Sequence, residues 1–234
     1  MGNATIRQAT RKLIPVDGCI VIGVSGPVGL GQRIVGTIES LWRANKFSNK
    51  QPFEASTIIR EAIGKHISME IQAAIESSKL IGQGVAAQSA LTHTAVAMPV
   101  NRRLCLFQFD QQGAPEEAST DLPFIAIGSG QMLADPFLGF IRCIFWKPTG
   151  PTTAEGIFAA IWTLIHAIRM NPGGVSDPIQ IMSLTGTGSN AYTIRELAEA
   201  ELQEHKENVE AVEHYLSNYP NASTQGQPDE PPTA

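Results

Sequence analysis

The chain has 234 residues, room for one large domain or two small ones. It carries 17 Lys+Arg against 22 Asp+Glu, a net charge of −5. A general nucleic-acid or anionic-membrane coat would need the opposite sign, so both partner classes are excluded. Hydrophobic residues make up 43%, enough for a sizeable core.

Residues 1–12 are polar and basic and do not read as a secretory signal. No run approaches the ~18 apolar residues of a membrane span. Cys19, Cys105 and Cys143 are too few and too scattered for a disulfide framework or a metal cluster, which predicts a reduced, cytoplasmic chain with no metal and no cofactor. The sequons at Asn3 and Asn221 are then chance matches.

In chain order, Cys19–Val24 is a continuous apolar, β-branched run and reads as a buried strand ended by Ser25-Gly26-Pro27. Ile34, Ile38, Leu41 and Trp42 recur at helical spacing to about residue 46. Ile59, Ile63, Ile67, Ile71 and Ile75 form a second helical stripe, closed by Gly82 and Gly84. Residues 85–109 read as strands before the polar turn Asp110–Gly113. Phe124–Ile127 predicts another short buried strand. Asp135-Pro136 resembles an N-cap with proline in the first turn, opening a helix over Phe137–Trp146. Thr152 and Glu155 have capping-box spacing, predicting a helix to about Ile168. Ile179–Leu184 reads as a last strand.

Residues 194–216 then predict an acidic helix with Leu202, His205, Val209, Val212 and Leu216 in a 3-4-3-4 pattern. Seven glutamates against Arg195 and Lys206 give that segment −5, leaving the rest of the chain neutral. Residues 219–234, rich in Pro, Ser, Thr and Gln, read as a disordered tail. The division is a domain over 1–190, an acidic helix over 191–218 and the tail.

Helix pairs separated by strand runs predict a layered α+β domain. Residues 137–146 carry one charge, Arg142, and 156–168 carry none. A helix apolar all round is buried on more than one side. One side would pack on a sheet and the other on a second subunit.

Read without any family, the chemistry is sparse. The five histidines lack metal spacing; His66 and His166 fall within helices and His93 within a strand. Gly26–Gly31 joins a strand to a helix but matches neither the dinucleotide nor the Walker pattern. Such a junction exposes backbone N–H groups suited to an oxyanion, or is a tight turn that needs small residues. Gly128-Ser129-Gly130 is a second junction of this kind.

Taken in order, these segments resemble the proteasome β-type subunits, the N-terminal-nucleophile hydrolase family that includes bacterial proteasome-like proteases. The resemblance rests on Lys12 before an apolar pair and a short turn, a strand ending in Ser25-Gly26, two long helices, a strand meander, the turn at 128–130, and two more helices and a strand over 137–184. It implies a four-layer αββα sandwich, a homo-oligomeric ring and a threonine endopeptidase acting on peptides or unfolded proteins. An ATPase unfoldase is a further implied partner.

The resemblance also implies roles for single residues. Lys12 would lower the pKa of a threonine nucleophile, and the Gly26 N–H would form the oxyanion hole. Ser129 would help hold the nucleophile. Val24 and Ser25 would contact substrate, with Val24 at the base of the specificity pocket.

Two departures accompany it. The family's first strands, its N-terminal threonine and an active-site aspartate precede the lysine, whereas only 11 residues precede Lys12 here. Neither Thr5 nor Thr10 is placed to substitute. No acid of the Asn171–Asp177 segment falls on the family's aspartate position. The chain as it stands is therefore expected to lack the nucleophile, and the rival expectation is a non-catalytic ring or scaffold subunit.

Overall fold

The structure is a computed structural model, and it describes residues 11–45, 55–80, 91–186 and 191–224. Twelve elements follow in order: β1 Leu13–Val16, β2 Ile20–Ser25, α1 Val28–Arg43, α2 Ala55–Leu80, β3 His93–Val100, β4 Arg103–Phe109, β5 Pro115–Glu117, α3 Gln131–Phe145, α4 Thr153–Met170, β6 Met182–Gly186, β7 Tyr192–Glu196 and α5 Glu199–Thr224. Strands β1 to β5 form one antiparallel sheet in sequence order; β6 and β7 form a two-stranded sheet.

Tight turns set the meander. Asp17 and Gly18 both take positive φ, 45° and 68°, between β1 and β2, the geometry that matches strand twist in a two-residue hairpin. Asn101 and Arg102 do the same between β3 and β4. Along β3, Thr94, Val96, Met98 and Val100 point inward and alternate with half-buried neighbours, the period-2 pattern of a strand with one core face. That face meets the isoleucine stripe of α2 (Ile59, Ile63, Ile67, Ile71) and Ile34 and Ile38 of α1 in one apolar cluster. Both predicted helical stripes are therefore core faces, on helices that run over Val28–Arg43, short of the expected residue 46, and Ala55–Leu80. Gly82, Gly84, Thr5, Thr10 and Asn3 lie outside the described residues, as do 225–234.

A second cluster joins α3, α4 and α5. Ile141 of α3, Ile161 and Trp162 of α4, and Leu202 and Val209 of α5 are buried together. The Thr152–Glu155 capping box forms in both directions. Phe137 stacks on His166 with ring centroids 4.3 Å apart, so that histidine serves packing.

Several expectations are corrected. Helix α3 starts at Gln131, a turn before Asp135, and holds Pro136 in its second turn, where the ring removes the main-chain bond to Met132 O. Phe124–Ile127 pairs with no strand among the described residues; Phe124 packs edge-on against Trp146 instead. The last strand begins at Met182 rather than Ile179. Residues 192–196, read partly as helix, form β7, and α5 runs from Glu199 to Thr224, past the expected start of the tail. The second apolar side of α4 is covered by α5 of the same chain, not left for a neighbour.

The two halves meet through side chains. The Gln180 amide oxygen accepts the backbone N–H groups of Lys12 and Leu13 at 3.3 and 3.1 Å, and its nitrogen donates to Leu13 O at 3.4 Å. Gln180 thus pairs with the free edge of β1 as a strand residue would. Arg11 and Glu196 add an ion pair at 2.6 Å.

Candidate functional site

The β1–β2 register brings the first predicted residues together. Leu13 lies opposite Gly23, so Lys12 stands opposite Val24, and the Val24 N–H donates to Lys12 O at 3.4 Å. Past Ser25 the chain turns at Gly26 and Pro27 into α1. Lys12, Val24, Gly26 and Gly31 line one cleft, together with Arg11 and Ile14. Its enclosed volume is about 30 Å³, space for a water molecule or two.

Gly26 is required by conformation and by space. Its φ is +130°, and a Cβ there would lie 2.5 Å from Leu91 O and 2.8 Å from Thr92 Oγ1. Its N–H makes no main-chain bond among the described residues. Thr92 is fully buried, and its hydroxyl has no hydrogen-bond partner among the described residues. Sequence reasoning gave Thr92 no role; a threonine in a small-residue strand carries no such signal.

Val24 does not open onto a deep pocket. Its side chain packs on Gly31 in the first turn of α1, where an added Cβ would come within 2.9 Å. Ser25 is half-buried and touches the 128–130 turn, its Oγ 2.6 Å from where a Gly128 Cβ would stand. His93 pairs with Ser25 across β2 and β3, but no hydrogen bond joins their side chains. Ser129 does not line the cleft; its hydroxyl donates to Gly174 O at 2.7 Å, tying the turn to the Asn171–Asp177 segment.

The site therefore divides. Lys12, Val24 and Gly26 converge, with Ser25 behind them and Ser129 to one side. An exposed ammonium near a backbone N–H without a partner among the described residues favours negative charge. Among the described residues Lys12 forms no ion pair, and no hydroxyl, thiol or imidazole is hydrogen-bonded to its ammonium. Nor is there a cluster of His, Cys, Asp and Glu able to hold a metal among those residues. No described helix is long and apolar enough to cross a membrane. Gln180 and Glu196, which brace the strand carrying Lys12, gave no signal in the sequence because their role is tertiary.

A different feature stands out on α3. Met132, Pro136, Phe140 and Ile144 recur every four residues on its solvent face, and Cys143 lies beside them. Met132 is 90% exposed, Phe140 49% and Ile144 57%.

No family model matches the chain, and no curated protein matches it. Solved structures do. Anbu (ancestral beta-subunit) from Yersinia bercovieri aligns at 15% identity with a TM-score of 0.59, over 96% of this chain and 88% of that chain. Anbu from Hyphomicrobium sp. strain MC1 aligns at 14% identity with a TM-score of 0.59, over 97% and 89%. A Gly-1 mutant of the latter protein gives 14% and 0.58, over 95% and 87%. The chain thus has an α+β fold like that of these Anbu structures.

Proposed function

We propose that this chain is a self-assembling, proteasome-like subunit whose role is structural: a ring or scaffold component rather than a hydrolase. The observation that carries the proposal is the α3 face. Four apolar residues at helical spacing, three of them large, lie open to solvent on a chain whose helices α1 and α2 bury their isoleucine stripes. A second copy is the simplest cover for such a face in a fold related to a β-subunit. In this reading the two sheets are the inner layers of a four-layer αββα sandwich, supported by the β2–β6 approach and by Gln180 on β1. Three free cysteines suit a reducing, cytoplasmic setting.

The site favours the same conclusion. Among the described residues the cleft beside Lys12 holds no nucleophile, and the nearby Ser129 hydroxyl is committed to Gly174. The sizing of the full chain tests assembly. The wild type should run as a multimer, and Phe140→Asp with Ile144→Asp should reduce it to a folded single chain.

A second reading is a threonine endopeptidase degrading peptides or unfolded proteins, fed by an ATPase unfoldase. The convergence of Lys12, Val24 and Gly26 on one cleft favours it. Fluorogenic-peptide hydrolysis by the assembled protein, lost on Lys12→Ala, would establish that reading over the structural one.

A further inference from the structure

The buried residues Leu138 and Ile141 fix the inner side of α3. On the opposite side Met132, Pro136, Gly139 and Cys143 recur at a 4-3-4 spacing and form one narrow stripe. Met132, Pro136 and Cys143 are exposed, and a Cβ added at Gly139 would meet nothing within 4 Å. Such a spacing is the seam of two paired helices. The two flanks of the stripe differ. One carries Leu133 and Phe140. The other carries Asp135 and Arg142, two turns apart along the same edge. Both are half-buried, and neither forms an ion pair among the described residues.

We propose that α3 pairs antiparallel with α3 of a second copy, about a two-fold axis that crosses the stripe between Pro136 and Gly139. The proposal rests on the reading of α3 as an assembly face and says what covers that face and in which register. Rotation about this axis sets Met132 against Cys143 of the other copy and Pro136 against its Gly139, where the missing side chain lets the helices approach closely. The same rotation sets Asp135 against Arg142 of the other copy, and does so twice, once on each side of the axis. On the remaining flank it brings Leu133 to Phe140. The charged edge of α3 is thus its own complement when reversed, and this selects a second copy as the partner. A parallel pairing would set Asp135 beside Phe140 of the other copy and leave its charge unanswered. An isologous contact of this kind closes on itself and joins copies in pairs.

The native Cys143 provides the first test. In the full-length chain carrying Met132→Cys, a short bismaleimide should join the introduced thiol of one copy to Cys143 of the other and give a covalent dimer. Within one chain the two positions are about 16 Å apart along the helix, as are the two Cys143 residues across the axis, so neither of those links should form. Peptide mapping that finds only like-to-like links, or none in an assembled sample, overturns the proposal. The second test is a charge exchange. Asp135→Arg and Arg142→Asp should each raise the concentration for half-dissociation by about tenfold, because two ion pairs are lost and two like-charge contacts replace them. The double variant restores both pairs with their signs reversed and should assemble nearly as the wild type, with an unchanged far-UV spectrum. A double variant no better than the worse single one overturns the pairing. If both tests fail while Phe140→Asp with Ile144→Asp still abolishes assembly, the antiparallel pairing falls and the structural-subunit reading stands. If the wild type itself never assembles, both fall.

Discussion

The Glu213 carboxylate of α5 accepts the indole N–H of Trp162 at 2.9 Å, and the same oxygen receives the Arg169 guanidinium at 2.8 Å. One acid thus fastens the C-terminal helix to the apolar helix α4. Burial of the carboxyl raises its pKa, but the hydrogen bonds from Arg169 and Trp162 and the charges of Arg169 and His166 outweigh that and hold it below the ordinary glutamate value.

The sign of the pH dependence follows. A carboxylate whose folded pKa is depressed contributes stability in full above its unfolded value, about 4.3, and loses it as pH falls through the folded value. Glu201, lowered first by Arg195, and Glu155, lowered first by the Thr152 N–H, act in the same direction. The melting temperature should be level above about pH 5 and fall below about pH 4. Glu213→Gln should flatten part of that fall, and Trp162 emission should report release of α5.

Gln180 offers a test of how the halves are joined. Gln180→Ala removes the acceptor for two N–H groups of the Lys12–Leu13 edge and should cost about 1–3 kcal/mol in chemical denaturation. Gln180→Glu keeps that acceptor but loses the donor to Leu13 O and sets a second carboxylate 3.2 Å from that of Glu196, so at neutral pH it should not recover the loss. No loss for Gln180→Ala would mean that the bond to β1 is not what matters there.

The α2–sheet core should behave as close-packed. Phe107→Ala removes a fully buried ring and should cost about 3–5 kcal/mol, whereas Ile63→Val, one methylene lighter, should cost about 0.5–1.5 kcal/mol. Thr152→Ala, which breaks the capping box of α4, should cost about 1 kcal/mol. Urea midpoints at constant slope check all three.

The thiols should separate by reactivity. Burial, opposed by Arg103 and assisted by Glu117, pushes the Cys105 thiol up to about 11. At pH 8 that leaves about one thiol in a thousand ionised. Burial and then Asp17 raise Cys19 as well. Cys143 is exposed on α3 and should alkylate first in single chains. Dilution that dissociates the assembly should speed its reaction; a rate independent of concentration would place α3 outside any interface.

What the sequence revealed was local or periodic. The α4 capping box needs only residues three apart, and the isoleucines of α2 show their face by spacing alone. Lys12 and Val24 could be matched to family positions by order, but their meeting depends on the Asp17-Gly18 hairpin register. Strand β7 was hidden because Arg195 and Glu196 read equally well as a helix surface; its pairing with β6 is what decides. Phe124–Ile127 has strand composition but no described partner, and composition carries no information about partners. The apolar girth of α4 shows burial on more than one side, and the Leu202–Val209 spacing shows an apolar face on α5, but neither pattern says that the two cover one another. Gln180 and Thr92 matter through contacts distant in sequence, which no spacing encodes.

Sedimentation velocity of the purified full-length chain over a range of concentrations tests the structural-subunit account most directly. The account predicts a discrete multimer that Phe140→Asp with Ile144→Asp converts to a folded species of about 25.1 kDa, the mass of one chain. A wild-type protein that sediments as a single chain at every concentration would contradict it.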